Sequence, residues 1–350
     1  MRKPILPTSV YITSSPLHVL HSIALIKKGV FGEDYLIIWS GALSLESYFP
    51  QTSSIFDYKV LDLSHLQIYS YFDFQKNYKY FLNEVANHVQ KINYLVTCFD
   101  TNLGFEALRS HYSVHWDQVV ILEDGIGNYF RSTMPRLRRQ IPKSILNLLR
   151  HGYLLNITRS NLGGNPKVGF ICALAPEMVY KHRKSKAKIV PIINEFKATL
   201  EELKIRIPKI YYEANVLISL TPIFSQNRMS EAELVAYINK ILSHPSIEGV
   251  TRVIIKPHPR EDLETLERVI FSNFGNKIDV ADQGPIEMYL PALQNMIWAG
   301  LPSSGFLNSF WLYGASNKYI VFPLFHKPFS PHVLQALKKL MGSALDIQND

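Results

Sequence analysis

The sequence is poor in cysteine and contains no long apolar run. Only two of its 350 residues are cysteine, Cys98 and Cys172, and both lie in apolar segments. This excludes a disulfide-stabilised secreted domain and predicts buried free thiols in a reducing compartment. No apolar run reaches about 18 residues, the length that predicts a transmembrane helix, and the N-terminal residues lack the apolar core of a signal peptide. We therefore expect a cytoplasmic protein that spans no membrane.

Charged residues are also scarce, at 19% of the chain against 47% hydrophobic residues, which excludes a disordered protein. Histidines and cysteines do not cluster at the spacing of zinc ligands, so we expect neither a metal ion nor another cofactor. The sequence contains no recognised nucleic-acid-binding motif, so we expect no nucleic-acid partner.

The length of 350 residues is too great for one ordinary core and predicts two domains. Strand-like and helix-like segments alternate over the first 130 residues, and a second such set follows a polar, basic link, Tyr180–Pro191. The pattern predicts helices over Pro16–Lys28, Tyr80–Lys91 and Pro285–Leu293, and a capping box of Ser230 and Glu233. This alternation predicts an α/β fold of two Rossmann-like domains, residues 1–185 and 186–330, followed by a C-terminal helix in residues 331–350. Two such domains facing a central cleft are typical of GT-B glycosyltransferases and of some nucleotide-sugar epimerases, so the fold alone leaves the function open.

The net charge of +8 is concentrated in a basic belt, residues 131–194. This belt contains 13 Lys and Arg and a single acid, Glu177, so its net charge is +12 and the rest of the chain carries −4. It predicts an anionic partner, either a membrane surface or a polyanionic glycan. Within it, residues 135–154 place apolar side chains at helical spacing between arginines. This pattern fits a core-facing helix, or an interfacial helix on anionic lipid that would make the protein peripheral at the inner membrane.

The most informative motif is Lys256-Pro257-His258-Pro259, which directly follows the apolar residues Val253–Ile255. The apolar residues predict a buried parallel strand, and the prolines end it, so we expect His258 at its C-terminal tip. Ligands bind beyond that edge in open α/β sheets. A histidine can donate a proton to a leaving phosphate and Lys256 supplies positive charge, which favours a phosphate-bearing ligand. The dipeptide recurs at His244-Pro245 without a preceding strand, and we expect that copy to be dispensable.

A second predicted strand runs into two carboxylates and a glycine, Glu123-Asp124-Gly125. A carboxylate at a strand tip suits a general base that deprotonates a sugar hydroxyl. Gly125 allows a tight turn and a close approach of the backbone. The alternative is a solvated Asp-Gly turn, which is common in proteins.

A third motif, Ser303-Ser304-Gly305, lies between an apolar strand and an apolar helix. A helix N-terminus offers free N–H groups and a positive dipole end, which bind phosphate, and the serine hydroxyls add donors. The alternative is plain N-capping by serine. Glu287 lies in the first turn of another predicted helix, where it suits either the two hydroxyls of a ribose or simply the helix dipole.

In this order, the acidic-acidic-Gly, His-Pro and Ser-Ser motifs resemble those of the bacterial lipooligosaccharide-sialyltransferase and capsular polysialyltransferase families. The segment Thr13–His18 also looks like the first strand-to-helix loop of those enzymes, which adds Ser14 to the candidates. The resemblance implies a GT-B enzyme that transfers sialic acid from CMP-sialic acid to a glycan, a lipooligosaccharide or a capsular polysaccharide. It also implies inversion and no requirement for a metal ion.

The resemblance assigns roles to individual residues. It implies that Asp124 is the base, with Glu123 as its neighbour or substitute, and that His258 protonates or hydrogen-bonds the departing CMP phosphate. The expected donor-binding residues are Ser14, Lys256, Pro259, Glu287, Ser303 and Ser304.

Two other enzyme classes and one non-enzyme remain as alternatives. CDP-glycerol- or CDP-ribitol-dependent polymerases of the teichoic-acid type also carry a Lys/Arg-Pro-His-Pro strand end and a Ser-Ser helix start, but lack a Glu-Asp-Gly tip in this form. A transferase of another CMP-activated ulosonic acid, such as Kdo, would look the same at this level. A polyanion-binding protein would use the basic belt alone.

Overall fold

The structure is a computed structural model that divides into two compact units, Met1–Lys204 and Ile205–Asp350. It describes residues 8–41, 43–49, 55, 57–66, 71–98, 102–123, 144–146, 148–150, 165, 167–179, 186–203, 207–220, 223–224, 227–258, 261–314, 316–323 and 331–348. We refer to the two units as the first and second domains.

The first domain is built on a seven-stranded parallel sheet in the order β3-β2-β1-β4-β5-β6-β7. Its strands are β1 (Thr8–Thr13), β2 (Tyr35–Trp39), β3 (Val60–Asp62), β4 (Ile92–Thr97), β5 (Val119–Ile121), β6 (Phe170–Ala173) and β7 (Lys188–Pro191). Its helices are α1 (Pro16–Lys28), α2 (Leu45–Tyr48), α3 (Tyr71–Ala86), α4 (Leu103–His111) and α5 (Ile193–Glu202).

Helix α1 shows how local sequence defines an element of this domain. Ser15 caps its N-terminus by accepting a hydrogen bond from the backbone N–H of His18, Pro16 begins the first turn, and Gly29 ends the helix at φ 72°. The side chains from Pro16 to Leu25 are all buried. Helix α5 packs beside α1, and an ion pair of 2.7 Å between Lys28 Nζ and Glu195 Oε1 joins the two.

The second domain is built on a six-stranded parallel sheet in the order β10-β9-β8-β11-β12-β13. Its strands are β8 (Val216–Ser219), β9 (Val253–Lys256), β10 (Ile278–Val280), β11 (Ile297–Gly300), β12 (Lys318–Val321) and β13 (Leu345–Ile347). Its helices are α6 (Lys209–Glu213), α7 (Glu231–Leu242), α8 (Leu263–Phe274), α9 (Ser304–Tyr313) and α10 (Pro331–Met341), and a 3-10 helix spans Ile286–Ala292.

The division between the domains differs from the predicted boundary at 185/186. Part of the segment predicted as a polar link, Tyr180–Pro191, forms strand β7, which pairs with β6 in the register Phe170↔Lys188. This pairing, and the packing of α5 on α1, keep residues up to 204 in the first domain. The terminal helix α10 is likewise no separate unit, because β13 follows it and pairs with β12.

Several local predictions are confirmed, and others shift. Ser230 and Glu233 form the predicted capping box at the start of α7. Both cysteines are buried free thiols. The helix predicted over Tyr80–Lys91 instead spans Tyr71–Ala86, and the one predicted over Pro285–Leu293 is a 3-10 helix that contains Pro291. Across the described parts of the chain, no helix combines the length and apolar character needed to cross a bilayer.

Candidate active site

Both sheets are parallel, so the carboxyl ends of the strands within each sheet lie along one edge. In the second domain this edge carries Lys256 at the end of β9, His258 two residues later, and the loops that follow β10 and β11. The structure therefore brings five predicted site residues of this domain to one edge of one sheet: Lys256, His258, Glu287, Ser303 and Ser304.

Lys256 is buried, with 4% of its surface exposed, and it binds backbone rather than facing solvent. Its Nζ donates to the carbonyl of Pro257 at 3.2 Å and to the carbonyl of Asp282 at 2.7 Å. Burial lowers the pKa of Lys256 to about 8, and the nearby charges of Asp282 and Glu287 oppose that shift. These contacts tie the loop after β9 to the loop after β10.

His258 is half-buried, and the turn that carries it is held by Glu261, which the sequence reasoning missed. The backbone N–H of Glu261 donates to the carbonyl of His258 at 2.9 Å. The buried Glu261 carboxylate accepts from the backbone N–H groups of Ile223, Phe224 and Asp262. Glu261 thus joins the loops after β8 and β9. Its position three residues after His258 is the one feature of the sequence that could have marked it as a site residue.

Glu287 and Ser304 meet directly. The hydroxyl of Ser304 donates to Glu287 Oε1 at 3.1 Å, and the Glu287 side chain is almost fully buried. The two residues lie 17 positions apart, on the 3-10 helix Ile286–Ala292 and in the first turn of α9. Two predictions made from separate motifs therefore belong to one cluster.

Ser303 differs from Ser304 in how its hydroxyl is used. Ser303 is the N-cap of α9, and its Oγ accepts a hydrogen bond of 3.2 Å from the backbone N–H of Phe306. A hydroxyl that accepts in this way keeps its own proton for a ligand. The Ser304 proton is instead directed at Glu287.

Two glycines bracket this serine pair because a side chain would not fit at either place. Gly300 has a φ of 111°, and a Cβ there would lie 2.6 Å from the carbonyl oxygen of Ser219. At Gly305 a Cβ would lie 2.2 Å from Ile286 Cγ2. The absence of a side chain at Gly305 lets the first turn of α9 approach the 3-10 helix closely enough for Ser304 to reach Glu287.

In the first domain, Glu123 follows β5 and is fully buried. Its Oε2 accepts a hydrogen bond of 2.6 Å from the backbone N–H of Leu174, just beyond β6. Its backbone carbonyl lies 3.0 Å from Nδ1 of the buried His21. Because a carbonyl can only accept, Nδ1 carries a proton in this contact, and burial lowers the pKa of His21 to about 3. Glu123 is thus held by both its side chain and its backbone.

Ser14 lies at the equivalent edge of the first sheet, between β1 and α1. Its backbone N and its Oγ lie 3.4 Å and 3.5 Å from Nδ1 of the buried His18. Two further site predictions, Asp124 and Pro259, fall outside the described residues.

The family model for alpha-2,8-polysialyltransferase (POLYST) matches residues 9–308. No curated protein matches the chain.

Solved structures resemble the chain over nearly its whole length. The UDP-GlcNAc 2-epimerase of Methanocaldococcus jannaschii in complex with UDP-GlcNAc and UDP aligns with a TM-score of 0.56 and 14% identity, covering 98% of this chain and 89% of that chain. The UDP-N-acetylglucosamine 2-epimerase of Rickettsia bellii aligns with a TM-score of 0.53 and 13% identity, covering 96% of this chain and 88% of that chain. A UDP-glucosyltransferase from Polygonum tinctorium aligns with a TM-score of 0.52 and 10% identity, covering 99% of this chain and 86% of that chain. At these identities the likeness shows the fold alone, and it confirms the predicted GT-B class.

The family match spans all three predicted motifs, and the two parallel α/β domains have the fold of a GT-B glycosyltransferase. The chain therefore belongs to the alpha-2,8-polysialyltransferase family and is a glycosyltransferase.

Proposed function

We propose that this enzyme transfers sialic acid from CMP-sialic acid to a hydroxyl of a glycan acceptor, a lipooligosaccharide or a capsular polysaccharide, with inversion and without a metal ion. The observation that carries the proposal is the Glu287–Ser304 hydrogen bond of 3.1 Å beside the capping Ser303. Glu287, whose carboxylate suits ribose hydroxyls, thus lies next to a helix N-terminus that suits phosphate, and this pair favours a nucleoside monophosphate as ligand.

In the proposed reaction the acceptor hydroxyl attacks the anomeric carbon of sialic acid. The bond from that carbon to the phosphate oxygen breaks, and CMP leaves. Asp124 takes the proton of the acceptor hydroxyl, and His258 donates a proton or a hydrogen bond to the departing phosphate. Attack opposite the leaving group inverts the anomeric centre.

The charge that develops on CMP can be stabilised by the chain itself. Ser303 has a hydroxyl proton to donate, α9 presents free backbone N–H groups at its start, and His258 lies at the carboxyl edge of the same sheet. The Lys256 ammonium binds carbonyls of the two loops. We therefore assign Lys256 to positioning of the His258 loop, with its charge acting on the phosphate through space.

Product analysis tests the function. The purified protein is incubated with CMP-sialic acid in EDTA, with lactose-type or sialyl-terminated acceptors. We expect a sialylated product and free CMP at the same rate with and without EDTA. No turnover with CMP-sialic acid, combined with turnover of CDP-glycerol, CDP-ribitol or CMP-Kdo, would assign the enzyme to one of the alternative donors. Loss of activity in EDTA would reject metal independence.

The two serines are expected to respond differently to alanine. Ser303→Ala removes a hydrogen bond to a charged phosphate, worth about 1.5–3 kcal/mol, so kcat/KM for the donor should fall by about 10- to 150-fold. Ser304→Ala leaves the phosphate donors in place and should cost less than about tenfold. The measurement is steady-state kinetics at varied CMP-sialic acid.

Ser230→Ala is the matched control for the loss of an N-cap. Ser230 caps α7 through the backbone N–H of Glu233, so its variant should lose about 1 kcal/mol of stability and keep its activity. Equal losses of kcat/KM in the Ser303 and Ser304 variants would contradict the division of roles.

The described part of the basic belt supports a site for a polyanionic glycan. A cavity of about 480 Å³ is lined by three lysines, one acid and three uncharged residues. The charged residues are Lys167, Lys186, Lys188 and Asp117, and the uncharged ones are Val168, Gly169 and Phe170. Phe170 and Lys188 begin β6 and β7, so this lysine pocket lies at the amino-terminal edge of the first sheet. Its positive charge suits the carboxylates of an extended polysialic acid chain.

Another part of the belt supports contact with an anionic membrane. Residues 144–146 and 148–150 are helical, and they expose Ile145, Leu148 and Leu149, the last by 78%. Arg150 beside them is exposed as well. Exposed apolar side chains next to a cation are typical of a helix that lies in a membrane interface, which favours the peripheral location over a core-facing helix.

Two sets of variants separate these partners. Lys167→Glu/Lys186→Glu/Lys188→Glu should weaken binding of polysialic acid, and Leu148→Glu/Leu149→Glu should weaken sedimentation with phosphatidylglycerol vesicles. Both should keep activity on short soluble acceptors. Lys76→Glu/Lys79→Glu/Lys91→Glu, exposed lysines of the first domain outside the belt, is the charge-matched control. Equal loss of polysialic acid binding in the control would show that binding depends on the net charge of the protein and not on the lysine pocket.

A further inference from the structure

Asn308 of helix α9 has a buried side-chain amide whose hydrogen bonds are not satisfied by the packing of the helix. Its side chain is 0% exposed, and neither Nδ2 nor Oδ1 has a hydrogen-bond partner among the residues that the structure describes. Buried amides in proteins are nearly always hydrogen-bonded, and leaving both atoms unsatisfied is destabilising. An apolar residue of similar size would be more stable here, so the asparagine needs another explanation.

Asn317 is a second buried asparagine of the same domain, and its side-chain amide is fully hydrogen-bonded. It is also buried, and its Nδ2 donates to the carbonyl of Leu293 at 2.9 Å and to Ser309 Oγ at 3.0 Å. Its Oδ1 accepts from the backbone N–H of Met296 at 3.1 Å. The fold therefore satisfies one buried asparagine fully and leaves the other without such contacts.

The direction of Asn308 follows from the geometry of α9. The side that packs on the sheet is marked by β12 residue Tyr319, whose ring lies 5.0 Å from that of Phe306 and whose hydroxyl lies 3.0 Å from Ser309 Oγ. At about 100° per residue, Asn308 lies about 160° around the helix from Phe306 and about 40° from Ser304. Asn308 therefore faces away from the sheet, on the same side as Ser304.

That side of α9 meets the 3-10 helix Ile286–Ala292. Ser304 donates to Glu287 there, and Gly305 lies against Ile286. Asn308, four residues after Ser304 and three after Gly305, continues the same stripe. The unsatisfied amide is thus directed toward the segment that carries Glu287.

The chemistry of the pair defines the ligand group. A carboxylate accepts hydrogen bonds only, whereas an amide both donates and accepts. A vicinal diol offers two hydroxyls that can each do both, so one can donate to Glu287 while the oxygen of the other accepts from Asn308 Nδ2. We propose that Asn308 and Glu287 together recognise the ribose diol of the cytidine nucleotide, and that Asn308 sets the preference for ribose over deoxyribose; this rests on the proposed function.

The segment over Asn308 is suited to the movement that this recognition requires. Since the amide is fully buried, a ribose reaches it only when the packing around it opens, and Ile286–Ala292 is the segment toward which it is directed. Seven residues are a long run for a 3-10 helix, whose hydrogen bonds are poorer than those of an α-helix, and Pro291 lacks an N–H to contribute. A ribose hydroxyl that displaces the Ser304 hydroxyl from Glu287 would replace one hydroxyl–carboxylate hydrogen bond by another of the same kind.

Calorimetric binding of CMP, 2′-deoxy-CMP and 3′-deoxy-CMP tests the proposal, with the unfolding temperature measured for each protein. We expect wild type to bind CMP at least about tenfold more tightly than one of the deoxy analogues, since the lost contact leaves buried polar groups unpaired. Asn308→Leu should unfold at a higher temperature than wild type and bind CMP and that analogue equally. Asn308→Ala gives the same comparison should leucine not be accommodated.

Asn317→Leu is the control, because it removes a satisfied amide. It should unfold at a lower temperature and keep the wild-type preference. An unchanged preference in both Asn308 variants would overturn the proposal, and a lowered unfolding temperature with unchanged preference would make Asn308 purely structural. Failure of wild type to bind CMP at all would overturn the proposed function itself, whereas CMP binding with an unchanged ratio rejects only the role of Asn308.

Discussion

Replacing His258 with alanine should lower kcat for transfer from CMP-sialic acid by about 10²- to 10⁴-fold, the usual contribution of a general acid. His258 lies at the tip of β9, where its carbonyl accepts from Glu261 and the neighbouring carbonyl of Pro257 accepts from Lys256. These contacts are made by backbone carbonyls and remain available in the alanine variant, so the turn should keep its shape. The measurement is single-turnover release of CMP at saturating donor, with CMP affinity followed by calorimetry.

His244→Ala is the natural control, because it removes the histidine of the other His-Pro dipeptide. His244 follows α7, accepts from the backbone N–H of Ser246 at 3.2 Å and lies 3.5 Å from Asp346 Oδ2. It precedes β9, so it lies toward the amino-terminal edge of the second sheet, away from the tip that carries His258. We expect a small loss of stability and a wild-type rate. A His258 variant that keeps more than about a tenth of the activity would rule out proton donation by this residue.

Substitution of the two adjacent acids should identify the base. Asp124→Asn removes the charge with little change of shape and should lower kcat by about 10²- to 10⁴-fold. Glu123→Gln should keep activity within about tenfold, because a glutamine oxygen can still accept from the backbone N–H of Leu174. Its effect should appear as a loss of stability of about 1–3 kcal/mol, because the glutamine NH2 group brings buried donors that need acceptors.

The two acids can be compared by pairing kinetics with thermal unfolding of each variant. A large fall of kcat in Glu123→Gln at unchanged stability, with little effect of Asp124→Asn, would exchange their roles. His21→Phe provides a further comparison. It removes the bond to the Glu123 carbonyl and the buried imidazole together, so it reports whether the backbone anchor of this loop matters for activity.

Much of the fold could be predicted from local pattern. Helix α1 has the predicted limits because Ser15, Pro16 and Gly29 mark its ends, and α7 begins at the predicted capping box. Most strands with continuous apolar runs were also predicted, but the apolar strand β6 and the terminal strand β13 were not. Strand β7 was missed because an exposed Lys188 and a final proline resemble a linker, and only the pairing with β6 makes it a strand.

The candidate site was predictable as a set of positions but not as a set of contacts. Strand ends and helix starts are visible in the sequence, which led to His258, Ser303 and Glu287. Glu261 has no local signature, since its carboxylate acts on backbone N–H groups of Ile223 and Phe224, 38 and 37 residues earlier.

The sequence by itself determined the two α/β domains and the strand ends that carry polar residues, because apolar runs, caps and prolines act over a few neighbouring positions. Only the tertiary structure decided what each polar side chain does. It directs Lys256 to the carbonyl of Asp282, Ser304 to Glu287 and Glu123 to the N–H of Leu174, across 26, 17 and 51 residues of sequence. These partners are distant in sequence and become neighbours only when the sheet edges pack together. A buried polar group then forms hydrogen bonds with the groups that the fold brings beside it.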